Sequence, residues 1–366
     1  MKIVTVIGAR PQFVKAAVLS RNIRELNSSG ARIQEIIIHT GQHYDVNMSE
    51  VFFDELNIPK PDYYLGIGGK SHGHATGEMI KGIEDILIKE SPDFVVLYGD
   101  TNSTLSGAIA ASKLGIRVAH IEAGLRSFNR AMPEEVNRVL TDHVSDICFA
   151  PTQLACDNLA KEGITSNVIN CGDIMNDASL FYSNLSDIRS CIVEDEGLCK
   201  GEFVLVTCHR QENTDSKEKL QSILESLSVL TKDTTVILPL HPRTNKKIEE
   251  YGLVYLLDNV KILPPVPMLD MIALEKNASC IITDSGGVQK EAYIFQVPCI
   301  TMREETEWVE TVDSGWNTLV GSNKSEIVNA YHNLRKPDVW SALYGDGNTG
   351  RIILDRLLID SNAKQY

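Results

Sequence analysis

Four carboxylates in the first half of the chain stand where acid–base chemistry is easiest to arrange. Glu122 directly follows the apolar run 116–121, and Asp100 follows the run 93–98 after one glycine. Glu134 and Glu135 follow Pro133, which reads as a helix start. Two or three carboxylates around one ring-shaped substrate supply a base on one face and an acid on the other. At a helix start a carboxylate also complements the macrodipole, so Glu134 and Glu135 have a structural reading as well.

A second set suits phosphate. Asp284-Ser-Gly-Gly-Val-Gln-Lys-Glu291 follows an apolar run and opens a helical segment. Its glycines let backbone approach a ligand, and N–H groups at a helix start attract anions. The same residues also make an ordinary capped turn, with Asp284 or Ser285 as the cap. Arg10 and Lys15 flank the first strand-to-helix turn, either as a diphosphate clamp or as solvated surface. His209-Arg-Gln-Glu-Asn213 and His241-Pro-Arg243 follow two later runs, and Arg303 follows another. Each histidine can donate to a phosphate or sugar oxygen, or be a hydrogen-bonded edge residue.

Several lookalikes fail. Gly66-Ile-Gly-Gly-Lys70-Ser71 has Tyr64 where a P-loop needs glycine, and reads as a flexible loop. His39 and His43 straddle a strand end and lack a zincin glutamate, because position 40 is Thr. His72 and His74 have no third ligand. His120-Ile-Glu122 resembles the start of a zinc deaminase motif, but no PCxxC follows. No metal is expected, and the lack of GxSxG lowers the odds of a serine hydrolase.

The elements that must position these residues are legible. Apolar, β-branched runs occur at 2–8, 34–39, 93–98, 116–121 and 146–150. A second series follows at 203–208, 235–240, 260–263, 279–283 and 298–302. Segments of helical period separate them. Strands apolar on both faces and alternating with helices require a buried parallel sheet. The series occurs twice, with a change of composition around 170–200. Two doubly wound, Rossmann-like α/β domains are therefore expected, with ligands beyond the carboxyl ends of the strands.

The bulk numbers agree. A chain of 366 residues suits two domains, and 43% hydrophobic with 23% charged residues is a globular balance. A net charge of −14 repels nucleic acid and anionic membranes, so an anionic substrate needs local basic anchors. No apolar run approaches the roughly 20 residues of a bilayer span. Arg10 and Lys15 interrupt the apolar start, which argues against a signal peptide. Of eight cysteines, Cys148, Cys208, Cys280 and Cys299 lie in strand-like runs and read as buried thiols of a reducing, cytoplasmic compartment.

Taken together, Gly8-Ala-Arg-Pro11, Thr40-Gly-Gln-His43 with Met48, Gly99-Asp-Thr101, Glu122-Ala-Gly-Leu-Arg126, Pro133-Glu-Glu-Val-Asn-Arg138, His209-Arg-Gln-Glu-Asn213, His241-Pro242, Asp284-Ser-Gly-Gly287 and Glu307 form an ordered set. The set resembles the non-hydrolysing UDP-N-acetylglucosamine 2-epimerase family, from about residue 2 to 320. The resemblance implies two domains facing a cleft, as in GT-B glycosyltransferases. The expected bounds are 1–172 for the domain with the catalytic carboxylates and 173–350 for the UDP-binding domain. Residues 351–366 would form a helix returning to the first. It also implies catalytic roles for Asp100, Glu122, Glu134 and His209. Ser285, Gly286 and Gly287 would hold the diphosphate and Glu291 the ribose, with Arg10, Lys15 and Arg303 as further anchors. Gln42, His43, Arg210 and His241 are candidates for a second, regulatory site. A homodimer is expected, with a UDP-linked amino sugar as ligand and no cofactor.

The sequence departs from the commonest family pattern at three places. Ala9 and Gln12 stand where GTRPE is usual, and Trp308-Val309 follow Glu307 where TERPE is usual. These variants resemble a branch acting on UDP-2,3-diacetamido-2,3-dideoxyglucuronate. The implied chemistry removes the C2 proton as UDP leaves C1, giving a glycal; UDP then readds as a proton returns to the opposite face. A hydrolysing 2-epimerase, a GT-B glycosyltransferase and a non-enzymatic UDP-sugar sensor are the competing readings.

Overall fold

Each expected apolar run is a strand in the computed structural model, which describes residues 1–42 and 58–362. In the first half these are β1 (Lys2–Ile7), β2 (Gln34–His39), β3 (Tyr63–Tyr64), β4 (Phe94–Tyr98), β5 (Arg117–Ile121), β6 (Ile147–Ala150) and β7 (Val168–Asn170). The second half has β8 (Phe203–Thr207), β9 (Thr235–Pro239), β10 (Lys261–Leu263), β11 (Cys280–Thr283), β12 (Cys299–Thr301) and β13 (Asn317–Leu319). The short β3, β7 and β13 carry two or three residues each and were not anticipated.

Both sheets are parallel. The first runs β3-β2-β1-β4-β5-β6-β7, and the second β10-β9-β8-β11-β12-β13. In each, the chain leaves a central strand, builds outward one way, then crosses over and builds the other way. The reversal falls between β1 and β4 in the first sheet and between β8 and β11 in the second. A crevice forms beyond the carboxyl ends of the two strands at such a switch point. The loops at those four strand ends begin with Gly8, Gly99, Cys208 and Asp284.

Burial explains the strand composition. Val4, Val6, Ile36, Ile38, Val95 and Leu97 pack on one face of the first sheet against Ala75, Met79 and Ile83 of helix His72–Glu90. Val204, Val206, Val236, Leu238, Cys280 and Ile282 do the same against Leu220, Ile223 and Leu227 of helix Lys217–Leu230. Fully burying one such side chain contributes about 1.5–3 kcal/mol, so few positions tolerate a polar residue. Cys148, Cys208, Cys280 and Cys299 are buried thiols without disulfides, and burial pushes the Cys148 and Cys299 thiols up to about 12.

The chain divides into two compact units, Met1–Ala178 with Ala342–Tyr366, and Ser179–Ser341. It passes from one to the other within helix Ile174–Arg189. The last helix, Thr349–Asn362, belongs to the first unit and packs on helix Arg10–Ser28. Among the described residues, no helix is long and apolar enough to cross a membrane.

Candidate active site

At the switch point of the first unit, β1 feeds helix Arg10–Ser28 through Gly8 and Ala9. Ala9 offers no capping side chain, and Gln12 does that work. Its Oε1 accepts from the N–H groups of Gly8 (2.8 Å) and Ala9 (3.1 Å). Its Nε2 donates to the Tyr98 carbonyl (2.7 Å) and the Thr104 hydroxyl (3.0 Å). A glutamate at this position could accept the first two bonds but not donate the others, which gives the Gln12 variant a physical reason. Arg10 is exposed at the first turn of this helix.

Lys15, one turn further on, points to Glu122. Its Nζ donates to Glu122 Oε2, with the two side chains 13% and 7% exposed. Burial lowers the Lys15 pKa, but attraction and hydrogen bonding to Glu122, with Asp173 and Asp100 beyond, outweigh it and raise the group above its ordinary value. The cation expected to clamp a diphosphate is engaged by a carboxylate. Glu122 has φ +68°, a left-handed conformation costly for a non-glycine residue.

Asp100, after β4, pairs with Arg138 of helix Pro133–Val144. Arg138 also reaches Glu135 Oε2 (3.1 Å), and Asn137 Nδ2 donates to the Asp100 carbonyl (2.9 Å). The two adjacent glutamates of this helix differ. Glu134 is exposed on the first turn, whereas Glu135 is buried. Glu135 accepts from Ser127 N (2.9 Å), Ser127 Oγ (3.0 Å) and Phe128 N (2.9 Å). Burial raises its pKa, but these donors and Arg138 outweigh it and hold the carboxyl below its usual range. Glu135 therefore fastens the loop before the helix, and Glu134 remains the one of the two turned to solvent. Gln42 Oε1 accepts from Ser103 N (2.9 Å) and Ser103 Oγ (2.8 Å), tying the loop after β2 to helix Asn102–Lys113. His43 lies outside the described residues.

The second unit repeats the plan with other chemistry. Ser285 is the N-cap of helix Gly286–Ile294, its Oγ 3.5 Å from the Val288 N–H. A Cβ on Gly286 would lie 2.1 Å from Glu307 Oε1, so the turn tolerates only glycine there unless Glu307 moves. Glu307 pairs with Arg303 (2.8 Å) and lies 3.8 Å from Arg210. Gly287 meets only the Ser285 Oγ at 3.8 Å, leaving its backbone approachable.

Asp284 is fully buried and is not the cap. It accepts from His209 N (3.1 and 3.0 Å), Arg210 N (3.0 Å) and Asn213 Nδ2 (3.2 Å), clamping the loop after β8 to the loop after β11. The His209 ring is 44% exposed, its Nδ1 3.7 Å from Asp284 Oδ1. His241, 6.3 Å from it between ring centres, caps helix Pro242–Tyr251 by accepting from Arg243 N (3.2 Å). Glu291 is half-buried; burial raises its pKa to about 7, against the pull of Lys290. Lys290 Nζ sits 4.4 Å over the ring of Trp308, so the unusual tryptophan has a cationic partner.

Every one of these strand-end loops is legible in the sequence, but the partners are not. Arg138 stands out only as part of a motif, and Asp284 only as a cap or the start of a glycine-rich turn. Nothing local separates the loop-binding Glu135 from Glu134. The signal available for Asp284 was its position directly after a strand. Nothing in the sequence pairs Lys15 with Glu122, 107 residues away.

The arrangement provides carboxylates with dedicated cations at one sheet edge, and a glycine-rich helix start with histidine and arginines at another. Comparisons with known proteins agree. Residues 24–358 match the UDP-N-acetylglucosamine 2-epimerase family. A UDP-N-acetylglucosamine 2-epimerase homolog of Methanococcus maripaludis is 52% identical over 98% of this chain and 99% of its own length. The UDP-2,3-diacetamido-2,3-dideoxy-D-glucuronate 2-epimerase of Pseudomonas aeruginosa is 49% identical over 98% of this chain and 99% of its own. The crystal structure of Methanocaldococcus jannaschii UDP-GlcNAc 2-epimerase, in complex with UDP-GlcNAc and UDP, superposes with a TM-score of 0.83. It is 43% identical and covers 98% of this chain and 100% of that one. Matched along nearly its whole length, in sequence and in both sheets, the chain belongs to the UDP-N-acetylglucosamine 2-epimerase family of isomerases.

Proposed function

We propose that the chain inverts C2 of a UDP-linked, N-acetylated amino sugar without net hydrolysis, and that its substrate is UDP-2,3-diacetamido-2,3-dideoxy-D-glucuronate. The observation that carries the chemistry is the first unit's sheet edge, where Glu122 has Lys15 and Asp100 has Arg138 as counter-ions. C2 carries no adjacent ketone, so its proton is not acidic. Expelling UDP as the proton leaves solves this. A carboxylate takes the C2 proton, the C–H electrons form the C1–C2 double bond, and the C1–O bond breaks onto the diphosphate. In the return step the diphosphate oxygen re-forms the bond to C1, and C2 takes a proton on the other face.

Asp100, Glu122 and Glu134 are assigned to the proton transfers. His209, Arg10 and the Ser285–Gly287 helix start are assigned to the charge on the departing diphosphate, by preorganised donors. Glu291 is assigned to the ribose, and Arg303 to support of the turn through Glu307. The 49% identity to the Pseudomonas enzyme and the variants Ala9, Gln12 and Trp308 support the uronate. The 43% identity to the jannaschii enzyme supports UDP-GlcNAc as the second reading.

Both UDP sugars, assayed side by side in heavy water, test the proposal. Turnover of the uronate, with deuterium at C2 of both epimers and no UDP accumulating, is expected. Turnover of UDP-GlcNAc alone would overturn the substrate; product without C2 label would overturn the mechanism. The proposal includes a homodimer acting in the cytoplasm. Exposed Phe128, Val136 and Leu140 on and beside helix Pro133–Val144 offer it an apolar surface, and sedimentation tests it.

A further inference from the structure

Below the acidic edge of the first unit lies a charge network that the proposed reaction does not use. His120, in β5, is fully buried. Its Nε2 is 2.7 Å from the Gly99 carbonyl, and its Nδ1 is 2.6 Å from Asp142 Oδ1. Both partners are acceptors, so both ring nitrogens must donate, which only an imidazolium can do. Asp142, also buried, accepts on its other oxygen from Gly124 N (3.1 Å) and Arg126 (2.7 Å). Arg126 in turn forms a two-pronged pair with Glu162, at 2.7 Å for each bond.

The two contacts with main chain fall at informative places. Gly99 is the residue before Asp100, and Gly124 is two residues after Glu122. All three positions around the carboxylates are left-handed: Gly99 at φ +63°, Glu122 at +68° and Gly124 at +80°. A Cβ on Gly124 would lie 2.3 Å from the Ala155 carbonyl oxygen, so that turn is also sterically pinned. A left-handed glutamate costs on the order of 1–3 kcal/mol and persists only where its surroundings over-determine it.

We propose that His120 and Asp142 are positioning residues for the proton-transferring carboxylates: one buried imidazolium–carboxylate pair fastens the turn carrying Asp100 to the turn carrying Glu122. This deepens the proposed function and rests on it. Burial pulls the His120 pKa down, but Asp142, the Gly99 carbonyl and Glu122 outweigh it and raise the group above its ordinary value. Asp142 and Glu122 are the charged groups that act on His120; Arg126, itself paired with Glu162, neutralises Asp142, and Lys15 pairs with Glu122.

The full-length chain with nitrogen-15-labelled histidine provides the first test. At pH 6.5, where an ordinary imidazole is half protonated, one imidazole should show both nitrogens predominantly protonated, and its signal should vanish in His120→Gln. A neutral ring pattern at His120 would overturn the proposal whatever the substrate. The second test is turnover of the two UDP sugars. Gln places its amide nitrogen near the Nε2 position and keeps the Gly99 bond; Asn places it near Nδ1 and keeps only Asp142. His120→Gln should lose about tenfold in kcat and His120→Asn and Asp142→Asn about a hundredfold, with KM within about twofold, well below each variant's melting temperature. Unchanged kcat with a lower melting temperature would reduce the pair to a structural role and overturn the proposal. Wild-type chain that turns over neither sugar would overturn the function reading and the positioning role with it, while the nuclear magnetic resonance result would still report the imidazolium.

Discussion

Lys15 donates to Glu122, and the pair joins the helix after β1 to the loop after β5 with little exposure of either side chain. A buried ion pair adds little net stability, but removing one partner strands the other's charge. Lys15→Met should therefore lower the first unit's stability by about 3–5 kcal/mol. The Lys15→Met, Glu122→Gln double variant should lose less than the sum of the singles, because it strands no charge. Calorimetric unfolding of the four proteins checks this; strict additivity would show that the two residues do not depend on one another.

The carboxylate series separates chemistry from architecture. Asp100→Asn, Glu122→Gln and Glu134→Gln should each fold, and loss of the true base should cost about 10²- to 10⁴-fold in rate. Glu135→Gln should act differently. Its carboxylate holds two backbone N–H groups and the Ser127 hydroxyl, so stability should fall by about 1–3 kcal/mol. Steady-state rates set beside melting temperatures distinguish it from Asp100→Asn and Glu134→Gln; Glu122→Gln, which strands the Lys15 charge, should lose both rate and stability. Full activity in all three of the first set would remove them from the reaction.

The His120–Asp142 pair gives stability a definite pH window. His120 is raised above its ordinary 6.5, so its contribution is complete below 6.5 and is lost as pH rises through the raised value. Asp142 is lowered below its ordinary 3.8: burial raises it, but His120 and Arg126 outweigh that. Its contribution is complete above about 3.8 and is lost as pH falls through the lowered value. The stability gap between wild type and His120→Gln should thus be widest between about pH 4 and 6.5 and shrink on the alkaline side. Urea denaturation at pH 5, 7 and 9 measures the gap, and a gap that grew with pH would contradict the sign.

What the sequence disclosed and what it withheld divide along one physical line. Runs such as Phe94–Tyr98 and Phe203–Thr207 are apolar on both faces, and that composition by itself demands a covered parallel sheet. The loops after such strands are then forced to the carboxyl edge, which is why Asp100, Glu122, His209 and Ser285 were legible as candidates. Tyr63–Tyr64 and Asn317–Leu319 are too short to carry any period. Pairings such as Lys15 with Glu122 or His120 with Asp142 are tertiary events. They depend on which strand ends the crossover brings side by side, and no local pattern encodes that. In the sequence His120 resembles only an incomplete zinc motif, because its partner lies 22 residues on, in another element.

Asp284 should matter more through the backbone than through the ligand. It takes N–H groups from His209 and Arg210 and the Asn213 amide, so it sets the loop on which His209 stands. Asp284→Asn keeps the shape but turns one acceptor into a donor facing donors. Hydrogen bonds to a charged group are worth about 1.5–3 kcal/mol each, so a loss of about 2–3 kcal/mol in stability is expected. UDP affinity, measured by titration calorimetry, should fall about tenfold as the loop and the Ser285 turn part. Unchanged UDP binding would show that the clamp and the nucleotide site are independent.

The second unit should also carry its own pH signature. Glu275, in helix Met268–Asn277, is buried, and its Oε2 has no hydrogen-bond partner. Burial first, and the nearby Glu291 second, push its carboxyl well above the usual range. Glu291 is itself raised to about 7 by burial, against Lys290. Both carboxyls therefore hold protons in the folded chain that the unfolded chain has released above about 4.5. Where the folded state binds more protons, stability falls as pH rises, so the contribution of each carboxyl is present in acid and is lost above about pH 4.5, for Glu291 up through about 7 and for Glu275 as pH rises through its raised value. Glu275→Gln removes one of the two proton-holding carboxyls and keeps the shape. The wild-type melting temperature of this unit should drop by several degrees between pH 5 and 8, at roughly 2–4 °C per kcal/mol, and the variant's should drop less. Parallel pH curves of melting temperature for the two proteins would show that the Glu275 carboxyl does not hold its proton in the folded chain.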